Sequence, residues 1–357
     1  WQDGNTSRFS SFWLRDHCRC PECRHSVTQQ RLVDTVSLPA DVAPSKLEPA
    51  SGSTATKVNT GDYADAVSVT WSHGGHHSQF SSAWLRAHSY DPPVPAPASN
   101  ANRQQQQAHQ RISEVPIMHS DPARADAALA EWLASLERYG LAFVKGVPAH
   151  NAATEALVRR IAFVRETHYG GFWDFTSNLS HGDTAYTTLP LQSHTDTTYF
   201  TDPVGLQLFH LIEFDGEGGR SVFVDGFAAA EALRAKHPEA YQTLCDTKIT
   251  THSAGDEGVL VMPTPRYWPI FNFRKEDGEL YQIRFNNDDR SVLDHLTRKQ
   301  VDAFYDALRK WTLLLRDPKY EFQIQLEPGT VAIFNNWRVL HGRTSFVGHR
   351  RLTGAYV

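Results

Sequence analysis

The chain has 357 residues, of which 40% are hydrophobic and 21% are charged, and its formal net charge is −5. This composition is typical of a soluble globular protein. The sequence contains no basic tail or stripe, so we expect no nucleic acid among its partners. It also has no apolar run of the roughly 18–20 residues that a membrane-spanning helix needs, and we expect no membrane partner.

The cysteines are few and unevenly distributed. Cys18, Cys20 and Cys23 lie close together, whereas Cys245 is far away along the chain. This distribution is not that of a disulfide framework and favours a reducing, intracellular compartment. The chain begins with Trp1 rather than methionine, so we expect any targeting segment to lie outside it, and the sequence leaves the compartment open.

The chain is predicted to contain two domains. In residues 1–92, the segments RLVDTVSL and AVSVTW are rich in β-branched residues and predict strands of a small β-rich N-terminal domain. Residues 93–115 include a Pro/Ala-rich stretch and a glutamine run that cannot form a packed core, so we predict a linker there. Residues 116–357 form the predicted larger domain.

The larger domain is predicted to be mainly β with flanking helices. Residues 122–139 carry apolar side chains at helical spacing up to Gly140, and NAATEALVRRIAFVRET predicts a second helix. The later helices are predicted at FAAAEALRAKH and LTRKQVDAFYDALRKWTLLL. The predicted strands are LAFVKGV, GLQLFHLI, SVFVD, GVLVM, LYQIRF, TVAIF and RLTGAYV. Many short strands with few helices indicate an antiparallel barrel or jelly roll.

The clustered cysteines form a C-x-C-x2-C motif that predicts a structural zinc site. Thiolates this close can bind one ion, and structural zinc takes four nitrogen or sulfur ligands. The fourth ligand is expected to be a histidine that connects distant parts of the small domain. The candidates are His17, His25, His73, His76 and His77. The alternative is a surface loop that carries three reduced cysteines.

His194 and Asp196 are a histidine and a carboxylate two residues apart. On a strand, such residues project to the same side and can supply two ligands to one metal ion. The same spacing or a near match recurs in pairs that cannot all be metal sites: His119 with Asp121, His181 with Asp183, and His237 with Glu239. The pair at His194 differs because the β-rich sequence TDTTYF follows it at once.

The segment NNWRVLHGRTSFVGHRR supplies His341 and, nine residues later, Arg350. Two histidines and one carboxylate on one face of a metal, with the opposite positions open, are the ligands of non-haem iron(II) oxygenases. The guanidinium of an arginine matches the far carboxylate of a 2-oxoglutarate cosubstrate. We therefore predict an iron site at His194, Asp196 and His341. The alternative is that His194 and Asp196 are ordinary polar residues on a strand.

Several of these segments also carry a family resemblance. The motifs WLRDHC, YGGFWDFTS, GDTAYTTL, HTDTTYF, VDGF and NNWRVLHGR resemble the trimethyllysine dioxygenase and γ-butyrobetaine dioxygenase family of iron and 2-oxoglutarate oxygenases. The resemblance implies a double-stranded β-helix (jelly roll) behind a small zinc-binding domain. It implies that His194, Asp196 and His341 bind iron(II) and that Arg350 binds 2-oxoglutarate. It further implies a Cys3His zinc site at Cys18, Cys20, Cys23 and His76, a homodimer and a mitochondrial location, with a cytoplasmic one possible.

The resemblance also implies a substrate with a trimethylammonium group. Aromatic faces hold such a cation by cation–π attraction, and the matching positions are Tyr169, Trp173 and Tyr186. Asp183 is expected to bind an α-ammonium group, which trimethyllysine has and γ-butyrobetaine lacks. Asn287, with its neighbours, is a candidate for orienting the polar end of the substrate.

The predicted reaction is the hydroxylation of N6,N6,N6-trimethyllysine at C3 with O2, the first step of carnitine biosynthesis, with ascorbate as reductant. Two alternatives remain. One is γ-butyrobetaine hydroxylase or a related 2-oxoglutarate oxygenase. The other is a non-catalytic protein that binds methylated lysine, which would explain the aromatic residues but not the proposed iron and 2-oxoglutarate residues.

Overall fold

The structure is a computed structural model that describes residues 1, 4–49, 66–93, 112–119, 122–176, 187–253, 258 and 260–357. The chain divides into two compact units, Trp1–Asn102 (unit 1) and Arg103–Val357 (unit 2). The helices are α1 Ser11–Asp16, α2 Ser82–Ala87, α3 Asp126–Tyr139, α4 Asn151–Arg159, α5 Gly226–Lys236, α6 Pro238–Asp246 and α7 Arg298–Leu315. The strands are β1 Pro44–Pro49, β2 Ala66–Trp71, β3 His77–Ser81, β4 Ile117–Met118, β5 Leu141–Lys145, β6 Phe172–Thr176, β7 Leu191–His194, β8 Leu206–Gly218, β9 Ser221–Asp225, β10 Phe271–Phe273, β11 Leu280–Ile283, β12 Glu321–Ile324, β13 Thr330–Asn335, β14 Val339–Arg343 and β15 Phe346–Tyr356.

Unit 1 contains a three-stranded antiparallel sheet in the order β1-β2-β3. Its core includes Trp71 and Phe80, and the indole of Trp71 donates to the Ser78 hydroxyl at 2.8 Å. The strand predicted at AVSVTW is confirmed as β2. The strand predicted at RLVDTVSL is wrong, because Thr35–Ser37 is a 3-10 helix. The side chain of Asp34 accepts from the Val36 amide there, and this local bond competes with strand pairing.

Unit 2 contains two large sheets and a small two-stranded sheet of β10 and β11. Six strands follow the order β4-β5-β13-β8-β15-β6, and four follow the order β12-β9-β14-β7. Aromatic rings join the two sheets in one core, since Phe223 of the smaller sheet lies 5.7 Å from Phe143 and 5.4 Å from Phe334 of the larger one, measured between ring centroids. Nearly all strand pairs are antiparallel, and the predicted double-stranded β-helix (jelly roll) is confirmed.

Helices cover the outside of this β structure. The apolar face of α3 buries Trp132 and Leu136 against the larger sheet. The helix ends at Tyr139 and is capped by Gly140, whose φ of 72° lies in the left-handed region that glycine adopts without strain. Helix α7 begins with a capping box between Thr297 and Gln300 and packs with α5 and α6 beside β10 and β11.

Two predicted elements of unit 2 differ from the structure. Helix α4 ends at Arg159, well before the end of the predicted helix at Thr167. The strand predicted at GVLVM is wrong for its described residues 260–262, which form no strand, and Leu260 is 69% exposed. An apolar run alone therefore did not ensure a paired strand. None of the described helices is both long and apolar enough to cross a bilayer.

Candidate functional site

Three side chains with metal-binding atoms converge in unit 2. His194 is the last residue of β7, and His341 is its directly paired partner on β14. His194 Nε2 lies 3.2 Å from Asp196 Oδ1, and His341 Nε2 lies 3.8 Å from Asp196 Oδ2. One ligand atom from each residue lies within 4.8 Å of the others. The structure thus brings together the three residues expected to bind iron.

The surroundings of the two imidazoles prepare this group for a cation. His194 Nδ1 lies 2.7 Å from the carbonyl oxygen of Gln192, so Nδ1–H donates and Nε2 faces the group. Burial disfavours the charged form of His194, but the hydrogen bond and charge of Asp196 outweigh it and raise the pKa to about 9. Burial and the charge of His194 lower the pKa of His341 to about 3. Asp196 thus favours a positive charge on His194, and a metal ion that binds Nε2 would replace the proton there.

The loop that carries Asp196 is held by the side chain of Asn336. The Asp196 amide donates to Asn336 Oδ1 at 2.8 Å, and Asn336 Nδ2 donates to the carbonyl oxygens of Asp196 and Val204 at 3.1 and 3.0 Å. Thr197, the next residue, has a φ of 55°, which is strained for a β-branched residue. Its hydroxyl accepts from the Val204 amide at 2.9 Å, so the surrounding bonds maintain this conformation.

Arg350 lies in the same pocket and is only 6% exposed. No carboxylate of the described residues forms an ion pair with it, and its guanidinium lies 5.8 Å from the centroid of the Phe346 ring. Burial and the positive charge of Arg343 lower the pKa of Arg350 to about 9. Arg343 itself donates to the carbonyl oxygens of Thr187 and Leu189. Two guanidinium groups buried together favour an anionic ligand.

Aromatic side chains form another wall of this pocket. The predicted residues Tyr169 and Trp173 both line it, and so do Tyr199 and Tyr356. Trp173 and Tyr356 meet edge to face with ring centroids 5.6 Å apart, and the Tyr199 hydroxyl donates to that of Tyr169 at 3.4 Å. Burial, followed by the charge of Asp196, raises the pKa of Tyr356 well above its usual value. This wall offers several π faces to a ligand cation.

Tyr199 and Tyr356 line the pocket but were not predicted from the sequence. Tyr199 lies inside the motif HTDTTYF, and Tyr356 follows Arg350 by six residues on the last strand, so their proximity to the predicted iron and 2-oxoglutarate residues pointed to the pocket. Sequence reasoning also missed Gln207 and Asn336. Their roles depend on strand register, which the sequence does not display.

The remaining predicted substrate residues have different positions. Asp183 and Tyr186 lie outside the described residues. Asn287 is exposed and accepts from Arg290 Nε at 3.3 Å. Its neighbour Asn286 lines the pocket and donates to Asp289 Oδ2 at 2.8 Å.

The other histidine–acid pairs do not form comparable clusters where they are described. His237 is exposed at the junction of α5 and α6, and Pro238 begins α6. His119 is described but Asp121 is not, and the pair at His181 lies wholly outside the described residues. Among the described residues, neither His119 nor His237 belongs to a cluster of metal-binding side chains.

A second cluster lies in unit 1. The Nε2 atom of His76 lies 3.4 Å from Cys18 Sγ, 3.6 Å from Cys20 Sγ and 3.4 Å from Cys23 Sγ. In tetrahedral zinc with bonds of about 2.3 Å to sulfur and about 2.1 Å to nitrogen, these atoms lie about 3.6 Å apart. Burial raises the pKa of Cys23 to about 12 and so disfavours its thiolate. A bound cation would offset this cost, because it stabilises the thiolate. His76 Nδ1 lies 3.5 Å from Glu22 Oε2, a typical outer partner of a zinc-binding histidine.

Two known protein families match separate parts of the chain. Residues 103–356 match the family described as "Taurine catabolism dioxygenase TauD, TfdA family". Residues 1–62 match the family described as "Gamma-butyrobetaine hydroxylase-like, N-terminal".

Curated relatives cover nearly the whole chain. Trimethyllysine dioxygenase, mitochondrial, of Homo sapiens is 38% identical over 358 residues, which are 98% of this chain and 80% of the relative. Gamma-butyrobetaine dioxygenase of Pseudomonas sp. (strain AK-1) is 33% identical over 360 residues, which are 100% of this chain and 89% of the relative. Among solved structures, a taurine dioxygenase from Burkholderia xenovorans has a TM-score of 0.50 at 14% identity and covers 70% of this chain and 84% of its own. That structural likeness concerns the fold alone.

Proposed function

We propose, because this chain belongs to the TauD, TfdA dioxygenase family, that it is an iron(II)- and 2-oxoglutarate-dependent dioxygenase that hydroxylates N6,N6,N6-trimethyllysine at C3. The observation that carries the proposal is that the His-Asp-His group, a buried arginine and an aromatic wall line one pocket. Each part suits one component of the reaction: the metal, the cosubstrate and the quaternary ammonium group.

The metal proposed for His194, Asp196 and His341 is iron(II). Two imidazoles and one carboxylate leave the opposite coordination positions open, as oxygen chemistry requires. Bound iron(II) with 2-oxoglutarate would activate O2, the oxidant, so that one oxygen atom enters the hydroxylated product and the other enters succinate as 2-oxoglutarate loses CO2. The residues of the chain hold the reactants in position, because an aliphatic C–H bond has no group that the protein can recognise.

Arg350 is the proposed partner of the distal carboxylate of 2-oxoglutarate. Its burial without a carboxylate partner among the described residues leaves a guanidinium that a dicarboxylate can neutralise. The nearby Arg343 adds a second positive charge to this end of the pocket. The cosubstrate would therefore extend from the metal toward the two arginines.

The aromatic wall is the proposed site of the trimethylammonium group. A quaternary cation has no N–H to donate, so aromatic faces are the suitable partners. Tyr169, Trp173, Tyr199 and Tyr356 supply such faces in the pocket. Asp183 and Tyr186 stay part of the proposal on the family resemblance. We add Asp288, an exposed residue that lines the same pocket, as a further candidate for binding the α-ammonium group.

The test is to incubate the protein with iron(II), 2-oxoglutarate, ascorbate and trimethyllysine in air. We expect succinate and a product heavier by one oxygen atom, which tandem mass spectrometry locates at C3. Unmethylated lysine, which lacks the quaternary charge, is the matched control and should not be turned over. A protein that hydroxylates γ-butyrobetaine but not trimethyllysine would instead be the hydroxylase of that betaine. If neither substrate is turned over, the proposed activity is refuted.

We also propose that the chain forms a homodimer, which rests on the family resemblance alone. Light scattering coupled to size-exclusion chromatography of the purified protein measures its mass in solution. A single species at the monomer mass of 40.2 kDa at micromolar concentration would refute the proposal.

A mitochondrial location is proposed from the human relative, whose name includes that compartment. Cell fractionation of the native, full-length protein tests it. Recovery in the cytosolic fraction alone would contradict the proposal.

A further inference from the structure

One oxygen of the Asp196 carboxylate accepts two hydrogen bonds. Gln207 Nε2 donates to Asp196 Oδ2 at 2.6 Å, and the Tyr356 hydroxyl donates to the same atom at 2.8 Å. Gln207 lies on β8 and Tyr356 on β15, where the two residues are directly opposite each other in the antiparallel register. Both are nearly inaccessible, at 1% and 5% exposure. Strand pairing therefore builds a two-donor clamp on this carboxylate.

The clamp distinguishes the two carboxylate oxygens. An ionised carboxylate oxygen has two in-plane lone pairs, and the two donors use both of those on Oδ2. The amide of Gln207 must point its NH2 group toward Asp196, because the reverse orientation would place two acceptor oxygens against each other. Oδ1 has neither donor and faces His194 Nε2 at 3.2 Å. Oδ1 is thus the oxygen available to a metal ion.

Tyr356 also contacts the aromatic wall, the proposed site of the trimethylammonium group, which we call the cation pocket. Its ring meets Trp173 edge to face at 5.6 Å between centroids and forms part of the pocket wall. The same side chain thus touches the proposed substrate site with its ring and the proposed iron ligand with its hydroxyl. In contrast, Tyr199 lines the pocket but directs its hydroxyl to Tyr169.

We propose that Gln207 and Tyr356 are positioning residues that hold Asp196 as a one-oxygen metal ligand, and that Tyr356 couples occupancy of the cation pocket to the metal centre. This inference rests on the proposed iron site. A carboxylate that binds through one oxygen leaves a coordination position that a two-oxygen ligand would occupy, and the cosubstrate and O2 need such positions. A cation against the Tyr356 ring shifts a side chain that is hydrogen-bonded to the metal ligand.

The test uses Co(II) in place of iron, with the zinc site left loaded, so that it does not depend on turnover. Tyr356→Phe keeps the ring and removes the hydroxyl, and Tyr199→Phe removes a hydroxyl of the same pocket that does not touch Asp196. We expect Tyr356→Phe to weaken Co(II) binding by about 10-fold or more, which is typical when an outer partner of a metal ligand is lost. Tyr199→Phe should stay within about twofold of the wild type. Calorimetry measures the affinities, and circular dichroism checks that each variant folds.

The coupling is tested with tetramethylammonium, which carries the quaternary charge of the proposed substrate but has no groups that bind metal. We expect it to change the visible absorption of the Co(II) protein in the wild type and in Tyr199→Phe, and not in Tyr356→Phe. Gln207→Leu provides a second test of the clamp if Tyr356→Phe does not fold, and should also weaken Co(II) binding.

Two failures are distinguishable. If the wild-type protein does not bind Co(II) at the His-Asp-His group, the proposed function itself fails. If the wild type binds Co(II) but Tyr356→Phe and Gln207→Leu match its affinity and spectrum, the clamp is refuted while the proposed function stands. A wild-type spectrum that does not respond to tetramethylammonium, although the ion binds, would refute the coupling.

Discussion

Arg350 and Arg351 are adjacent in the chain but project to opposite faces of β15. Arg350 is buried in the pocket without a carboxylate partner among the described residues. Arg351 lies at the surface and forms ion pairs with Asp174 at 2.6 Å and with Glu213 at 2.9 Å. The alternation of side chains along a strand thus gives two neighbouring arginines different environments. Of these two neighbours, Arg350 is the one that lines the pocket and can bind an anion there.

We expect Arg350→Gln to raise the KM for 2-oxoglutarate by about 10–100-fold, because charge-assisted hydrogen bonds contribute about 1.5–3 kcal/mol. Arg350→Lys should be intermediate, since an ammonium keeps the charge but lacks the planar pair of donors. Arg351→Gln is the matched control and should change this KM by less than about twofold. Steady-state succinate formation measures all three. Equal effects at both positions would contradict the assignment of Arg350.

The ion pairs of Arg351 with Asp174 and Glu213 predict that the stability of the fold depends on pH. The hydrogen bond from Arg351 lowers the pKa of Asp174 and that of Glu213 in the folded protein. Carboxylates with lowered pKa values stabilise the fold above their unfolded values of about 3.9 and 4.3, and this contribution is lost as the pH falls through the folded values. Arg351→Gln should therefore lower the Tm at pH 7, and the difference from the wild type should shrink below about pH 4.

Thermal unfolding followed by circular dichroism over this pH range checks the prediction. Arg309→Gln removes an arginine of the same charge from the exposed face of α7 and is the control. A Tm difference for Arg351→Gln that is independent of pH would show that the carboxylates are not its source.

The two metal clusters are expected to load independently, because they lie in separate compact units. Asp196→Ala should abolish iron binding and retain zinc, whereas His76→Ala should lose zinc and retain iron binding. His76→Ala should also lower the unfolding temperature of unit 1, since structural zinc contributes directly to folding. Metal analysis by mass spectrometry after anaerobic reconstitution gives both stoichiometries. Loss of both metals from either single variant would contradict the prediction.

Gly354 lies where β15 passes close to Trp173. A Cβ at this position would lie 2.2 Å from the Trp173 ring and would also collide with the Leu208 carbonyl oxygen on β8. Gly354→Ala must therefore move either the strand or the indole, and overpacking of this kind costs about 1–3 kcal/mol. We expect a lower Tm and a higher KM for trimethyllysine. Gly205→Ala is the control, because its Cβ would meet the nearest atom at 3.7 Å. A wild-type Tm and KM in Gly354→Ala would refute this packing argument.

Much of the architecture was predictable because local patterns determine it. The apolar spacing of residues 122–139 and the following Gly140 predicted α3 and its end, and the β-rich runs predicted β2, β8, β9, β13 and β15. The pattern was misleading at RLVDTVSL, where the Asp34 side chain supports a 3-10 turn instead of a strand. Strand prediction fails more readily because a strand is stabilised by a partner that lies elsewhere in the chain.

The sequence by itself determined the jelly-roll class, the residues with metal-binding chemistry and the β-rich context that distinguishes His194 and Asp196 from similarly spaced pairs. Only the tertiary structure decided which atoms meet. The register of β8 and β15 aligns Gln207 with Tyr356, and the turn before β14 brings Asn336 to the backbone of Asp196. These contacts join residues that are more than a hundred positions apart. Chain folding selects such pairs through the burial of whole strands, so no local pattern in the sequence encodes them.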